Sequence, residues 1–157
     1  MRKRMINAIP MKVPETSTTW LPLDQMATVE VTSEESLHPI EDALFDGNDL
    51  GWRASGLGEQ TIRLIFDAPQ EIRCIRLVFV EYSVERSQEF VLRWSPDAGQ
   101  TFHDIVRQQW NFNPHNSAQE IEEYYVDLHG VTQLELKIMP DRSGGSVCAS
   151  LAQLRLA

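Results

Sequence analysis

The sequence predicts an all-β chain: an eight-stranded antiparallel β-sandwich, or jelly roll, with one short helical turn near residues 40–45. Three observations carry this. Short segments alternate apolar and polar side chains, the period-two signature of a half-buried strand. Gly, Pro, Asn and Asp punctuate them at regular intervals, as in sandwiches and closed sheets. No stretch sustains the 3.6-residue apolar period of a long helix. The chain has 157 residues, the length of one domain, and 42% hydrophobic with 24% charged residues suits an ordinary buried core.

Taken in order, residues 1–25 read as an extended basic arm, and 26–157 as a single β-sandwich binding domain. Pro10, Pro14 and Pro22 lack the amide donor and restrict the residue before them, which disfavours a helix in the arm. Trp20, Leu21 and Leu23 pin its end to the body. Residues 26–32, with β-branched Thr28, Val29, Val31 and Thr32, form the first predicted strand. Residues 33–60 read as a turn-rich connection. Within it Pro39 opens the helical turn, Glu41 and Asp42 sit where the helix dipole favours acids, and Asp46-Gly47-Asn48 ends it.

The next predicted strands are 61–67 (Ile62, Leu64, Phe66 on one face) and 71–80 (Ile75, Leu77, Phe79), joined by a tight turn at Pro69. A loop at 82–86 leads to 88–95, where Phe90, Leu92 and Trp94 keep register. After a turn at 96–100 the chain returns through 101–109, then enters a long loop, 110–118. Strands 120–128 and 131–139 flank a turn at His129-Gly130. A Gly/Ser loop at 140–146 precedes the closing strand, 147–156. If successive strands run antiparallel, loops 33–60, 82–86, 110–118 and 140–146 gather at one end of the sandwich. The tight turns gather at the other. Long polar loops on a rigid sandwich are where binding usually resides.

The net charge of −9 argues against nucleic acid, which a polyanion-repelling surface does not attract. Arg2, Lys3, Arg4 and Lys12 make the arm basic, and all 23 acidic residues lie beyond residue 14. Four charges without an amphipathic helix read as a solvated terminus. Pro10 and Lys12 interrupt the apolar run after the arginines, so it does not read as a secretory signal, and no apolar stretch reaches the roughly 20 residues of a membrane span. Cys74 and Cys148 lie in apolar segments, where free buried thiols are common; a disulfide between them is not required. Together these features predict a cytoplasmic protein.

Catalytic signatures are thin. His38, His103, His115 and His129 are scattered without zinc spacing. There is no nucleophile elbow, Walker loop or dinucleotide fingerprint. Glu120, Glu122 and Glu123 read as a solvated strand edge, since adjacent strand residues face opposite sides. No enzyme is expected. Ser95-Pro96-Asp97-Ala98-Gly99-Gln100-Thr101-Phe102 fits the pattern Ser-x-Asp-x-Gly-x-x-aromatic, the Asp-box. Its carboxylate accepts turn amides and its Gly takes the special dihedrals, which makes Asp97 a fold-stabilising rather than a catalytic residue.

The order Asp46-Gly47-Asn48 … Trp52, then Phe66-Asp67 before Pro69, then Phe90-x-Leu-x-Trp-Ser95 with its Asp-Gly turn, and a last strand at 149–156 resembles the galactose-binding-like jelly roll. That superfamily includes discoidin domains, coagulation-factor C-terminal domains and many bacterial carbohydrate-binding modules. The resemblance covers residues 27–157 and implies an eight-stranded sandwich that binds ligands through loops at one end, without catalysis. It also implies a structural Ca²⁺ at Asp46 and Asn48, hard oxygen donors in a tight loop; no other cofactor is expected. Two departures bear on that cation. Gln153 stands where the family often has a Glu, and Gly51 where a Thr usually precedes the Trp.

The ligand-binding candidates are Trp110, Phe112, Asn113 and His115, with Tyr82, Arg86 and Arg142 from neighbouring loops. Aromatic faces suit the apolar side of a sugar ring, and Asn, His or Arg bond hydroxyls. The competing reading places Trp110 and Phe112 beneath the loop as core caps and leaves His115 merely exposed. The expected function is a non-catalytic module for a carbohydrate-type ligand; the alternative is an intracellular protein-interaction domain using the same loops. Neither nucleic acid nor membrane is an expected partner, and the oligomeric state is open.

Overall fold

A computed structural model describes residues 19–45 and 51–157. It contains β1 (Ala27–Val31), β2 (Trp52–Leu57), β3 (Gln60–Val80), β4 (Arg86–Ser95), β5 (His103–Phe112), β6 (Gln119–Met139), β7 (Cys148–Leu151) and β8 (Gln153–Leu156). Two four-residue helices accompany them, α1 (Leu23–Met26) and α2 (Glu41–Leu44). All strand pairings are antiparallel. The main sheet runs β1-β3-β6-β4-β5, with β8 also on β3, and β2 pairs with β7.

β3 and β6 make this sheet into a sandwich. Each has 21 residues, which as a straight strand would span roughly 70 Å. Yet Glu120 and Pro140, near opposite ends of β6, both reach the start of β4. Gln88 Nε2 donates to Glu120 Oε1 at 3.4 Å and Arg86 Nη1 to the Pro140 carbonyl at 2.7 Å. The paired ribbon therefore folds back on itself. The bend lies where the register breaks, between Ile65 and Cys74. Ile65 faces Gln133 while Gln70 faces Val131, so β3 accommodates extra residues around Pro69. Ile72 faces Leu128, so β6 bulges at Gly130, whose φ is +68°. One layer then holds β1, the first half of β3, the second half of β6, β4 and β5. The other holds the remaining halves with β8. Phe79 and Phe90 stack across the gap at 5.2 Å.

The sandwich and the short helical turn stand as expected, and several elements are corrected. The predicted pairs 61–67/71–80 and 120–128/131–139 are each one bent strand. Both halves keep the same partner, so Pro69 and Gly130 bend the ribbon without ending it. β2 falls in the predicted 33–60 connection. Its Ala54, Ser55 and Gly56 have poor strand propensity, but Trp52 and Ala54 are buried and Trp52 pairs with Leu151. The closing strand divides at Ala152, so that β7 serves β2 and β8 serves β3. β5 runs on to Phe112 and β4 begins at Arg86, three and two residues beyond expectation, because Arg86 and Phe112 are cross-strand partners with buried side chains. In the predicted arm, residues 23–25 are helical in α1 rather than extended. Leu21 N donates to Leu156 O at 2.8 Å, and Leu23 is buried. Pro22 sits at the cap, where its missing amide costs nothing. Residues 1–18, with the basic charges of the arm, lie outside the described residues.

The core runs the length of the gap, from Leu64, Leu92 and Leu136 to Phe79, Phe90 and Phe112. Cys74 is buried, Cys148 half-buried, and both are free thiols.

Candidate functional site: a polar cavity at the loop end

The loop end is organised by Arg86. Its side chain is wholly buried, with the guanidinium 4.5 Å above the Phe112 ring. Nε donates to Glu81 Oε1 at 2.7 Å, and Nη1 donates to Gln88 Oε1 at 3.0 Å and to the Pro140 carbonyl at 2.7 Å. Glu81, Phe112 and Pro140 are where three loops leave the sandwich. One buried cation thus sets the relative position of loops 81–85, 113–118 and 140–147.

Each loop is then shaped locally. Asn113 Oδ1 accepts the His115 amide at 3.0 Å, and Ser117 N donates to Asn113 O at 2.9 Å, closing a tight turn. Asp141 Oδ1 accepts the Ser143 amide at 3.1 Å and its hydroxyl at 2.8 Å. These bonds, the hydroxyl first, hold the Asp141 carboxyl below its ordinary range. Arg142 N donates to Ser87 O at 2.8 Å and so fastens this loop to β4.

Between the loops lies an open cavity of about 730 Å³. Its lining includes Glu85, Asn111, Asn113, Asn116, Asp141 and Arg142. The three asparagines share a chemistry. Asn111 Oδ1 accepts from Ser87 Oγ at 2.8 Å, Asn113 Oδ1 from the His115 amide, and Asn116 Oδ1 from Ser117 Oγ at 3.3 Å. Their carbonyl oxygens are used inside the loops, which leaves each NH₂ as a donor for an incoming oxygen.

Of the residues expected from sequence, Arg86, Phe112, Asn113 and Arg142 line this cavity. Arg86 and Phe112 do so as floor: Phe112 is fully buried and its face is covered by the guanidinium. Trp110 is half-buried, edge-on to Phe112 with centroids 6.4 Å apart, and packs against the core. His115 is exposed at the loop tip, and Tyr82 is 74% exposed on loop 81–85; neither lines the cavity. Asn111 and Asn116 belong to the candidate stretch 110–116, whereas Glu85 carries no signal in the sequence. The Asn-x-Asn-x-x-Asn spacing from 111 to 116 was the available signal. Asp46 and Asn48 lie outside the described residues. Gln153 has its Oε1 taken by Arg76 Nε at 3.0 Å, and no group of three His, Cys, Asp or Glu that could hold a metal occurs among the described residues.

Behind the cavity the interior is unusually polar. Arg86 Nη2, Trp110 Nε1, Glu120 Oε2 and Tyr124 Oη are buried and have no hydrogen-bond partner among the described residues. Burial first, then the neighbouring Glu122 carboxylate, push the Glu120 carboxyl up to about 8. The Asp-box behaves as expected of a turn. Asp97 accepts from the Ser95 hydroxyl and from the Thr101 amide and hydroxyl, at 2.7, 2.8 and 2.6 Å. The bond from the Thr101 hydroxyl is the largest cause of a carboxyl held down at about 2.

The bent two-layer architecture, with a cavity built between its loops, is a β-sandwich jelly roll. Solved structures with this fold include the family 32 carbohydrate-binding module of Clostridium perfringens NanJ in complex with galactose. It matches with a TM-score of 0.65 at 16% identity, over 88% of this chain and 97% of that one. The module CpGH89CBM32-5 of the same organism, in complex with GalNAc-β-1,3-galactose, matches with a TM-score of 0.62 at 20% identity, over 88% and 99%. Reduced XRCC1 bound to the DNA polymerase β catalytic domain matches with a TM-score of 0.58 at 14% identity, over 84% and 95%. No protein-family model and no curated protein sequence matches the chain.

Proposed function

We propose that this chain is a non-catalytic carbohydrate-binding module that holds its ligand in the cavity between loops 81–85, 113–118 and 140–147. The observation that carries this is the lining: three side-chain amides with free NH₂ groups, flanked by serines, on a pre-set loop frame. Such a surface matches the dense oxygens of a sugar. Structural neighbours that are carbohydrate-binding modules, two with sugars bound, support the reading. The cavity lacks an open aromatic platform, so recognition rests on hydrogen bonds, and modest affinity follows. Calorimetric titration across a glycan panel tests it. At least one saccharide should bind at millimolar concentration or better and be weakened about tenfold by Asn113→Ala. Failure of every sugar to bind the folded protein would end the reading.

A second reading, protein interaction, is favoured by one feature. Tyr82 and Val84 on loop 81–85 are 74% and 41% exposed, and Ile121 on adjoining β6 is 49% exposed. The XRCC1 complex is a neighbour that binds a protein. Loss of a co-purifying partner on Tyr82→Ser, with sugar binding unchanged, would assign that rim to it.

A further inference from the structure

We propose that the cavity selects saccharides by charge, taking amine-bearing sugars such as glucosamine units ahead of neutral ones and excluding uronic acids. This rests on the carbohydrate reading above and deepens it.

Four charged residues line the cavity: Glu85, Arg86, Asp141 and Arg142. Both cations are engaged elsewhere. The Arg86 side chain is wholly buried and paired with Glu81. Arg142 turns toward the outer face of β4 and β5, with Nε 3.3 Å from Glu89 Oε2 and Nη1 donating to Gln109 Oε1 at 2.7 Å. Each guanidinium already faces a carboxylate of this chain.

The two acids differ from them. Among the described residues neither Glu85 nor Asp141 forms an ion pair. Glu85 is exposed on loop 81–85. Asp141 is fixed by Ser143 through Oδ1, and its Oδ2 lies beside Gly145, where an added Cβ would stand 3.1 Å away. That second oxygen is thus approached by backbone without a side chain to cover it. With Glu81 and Glu89 and their partners Arg86, Arg142 and Arg107 counted, the acids still outnumber the cations by one, within a chain of net charge −9.

A sugar ammonium carries three donors and no acceptor. The asparagine NH₂ groups cannot satisfy it, since they too only donate; the two carboxylates can. Hydroxyl oxygens of the same ring take the NH₂ donors. An acetamido group loses the charge, and a uronate brings a third carboxylate to a cavity whose two guanidinium groups already face carboxylates.

The experiment is a titration of the full chain with three oligosaccharides of equal length: glucosamine, its fully N-acetylated counterpart, and galacturonic acid, in mildly acid buffer at low and high salt. The glucosamine oligomer should bind on the order of tenfold tighter than the N-acetylated one, and the galacturonide should not bind. High salt and the Glu85→Gln/Asp141→Asn double variant should erase the preference. Glu85→Gln alone, at an exposed position, should reduce it without shifting the melting midpoint. Equal or tighter binding of the N-acetylated or uronic oligomer would overturn the charge selection and leave the carbohydrate reading standing. Binding of none of the three, together with none of a wider neutral panel, would overturn both.

Discussion

Glu120 and Glu135 show how burial and partners set two carboxylates of one strand on opposite courses. Glu120 is fully buried between the layers, facing Gln88 and Arg86 of β4, Glu122 and Tyr124 of its own strand, and the end of β3. Its carboxyl is raised to about 8, so the folded chain holds a proton that the unfolded chain has already released. Stability from this group is complete below the ordinary carboxylate range and is lost as pH rises toward 8, by at most about 1.4 kcal/mol per pH unit for one proton. Glu120→Gln should flatten that decline, and melting midpoints between mildly acid and weakly alkaline buffer will show it. An unchanged slope would place the decline elsewhere. Glu135 lies on the outer face of β6 with a side chain only 1% exposed. Burial alone would raise its carboxyl. Hydrogen bonds from Arg93 and Arg63 outweigh burial and hold it below its ordinary value. Its contribution is present above the unfolded value and lost as pH falls through the folded one. Glu135→Ala leaves two part-buried guanidinium groups facing one another across β6, at a cost of roughly 3 kcal/mol in urea unfolding.

Among the elements, the bent ribbon of β3 and β6 does most to create the site, because folding it back brings both of its ends to Arg86. Gly130 takes φ +68° at the bend and an added Cβ would meet nothing within 4 Å, so Gly130→Ala should cost only backbone strain, about 1 kcal/mol. Gly51 makes the opposite case. Its φ is +66° and a Cβ would stand 2.5 Å from Leu151 O, so Gly51→Ala must push β2 away from β7. Its loss of stability should exceed that of Gly130→Ala severalfold in the same denaturant series; equal losses would show that the β2–β7 ribbon yields easily. The same bend explains what the sequence made legible. Period-two alternation located Ile62, Leu64, Ile75, Leu77, Leu134 and Leu136 on the inward face, because burial of one face is a local signal. Whether Pro69 reverses the chain or bends it is decided by pairing with a strand about 60 residues away, and alternation carries no record of that. The grouping of the loops at one end was nonetheless inferable, since a folded-back strand places its ends as two antiparallel strands would. β2 was hidden because Ala54, Ser55 and Gly56 earn their place by packing and not by propensity. That the Arg86 side chain is buried could not be read from the sequence, which shows charge but not burial. Asn111 and Asn116 lacked any pattern beyond spacing.

At the scale of the whole molecule, the cavity and the fold depend on one buried ion pair, and the energetics of that pair can be separated from its role in shaping the site. Arg86 reaches Glu81 just after β3, Gln88 in β4, Pro140 after β6 and the Phe112 face at the end of β5, so it touches both layers and the points where all three loops start. Its own side chain is fully buried and that of Glu81 is 15% exposed, so solvent screens the pair little. Removing one partner strands the other charge. Arg86→Met should therefore cost roughly 3–5 kcal/mol, and Glu81→Gln a smaller amount because water can reach that carboxylate's place. The double variant should lose less than the two single losses added, since it leaves no unpaired charge. Additive losses would mean that Arg86 acts through the Pro140 carbonyl and Phe112 rather than through Glu81. Saccharide affinity should follow a different rule. If the guanidinium is a frame for the loops and not a contact, the double variant, once folded, should still bind weakly when loops 113–118 and 140–147 retain their own turns. If binding vanishes in the double variant while Asn113→Ala leaves a measurable remnant, then the spacing of the loops, and not any one donor among them, is what the sugar reads.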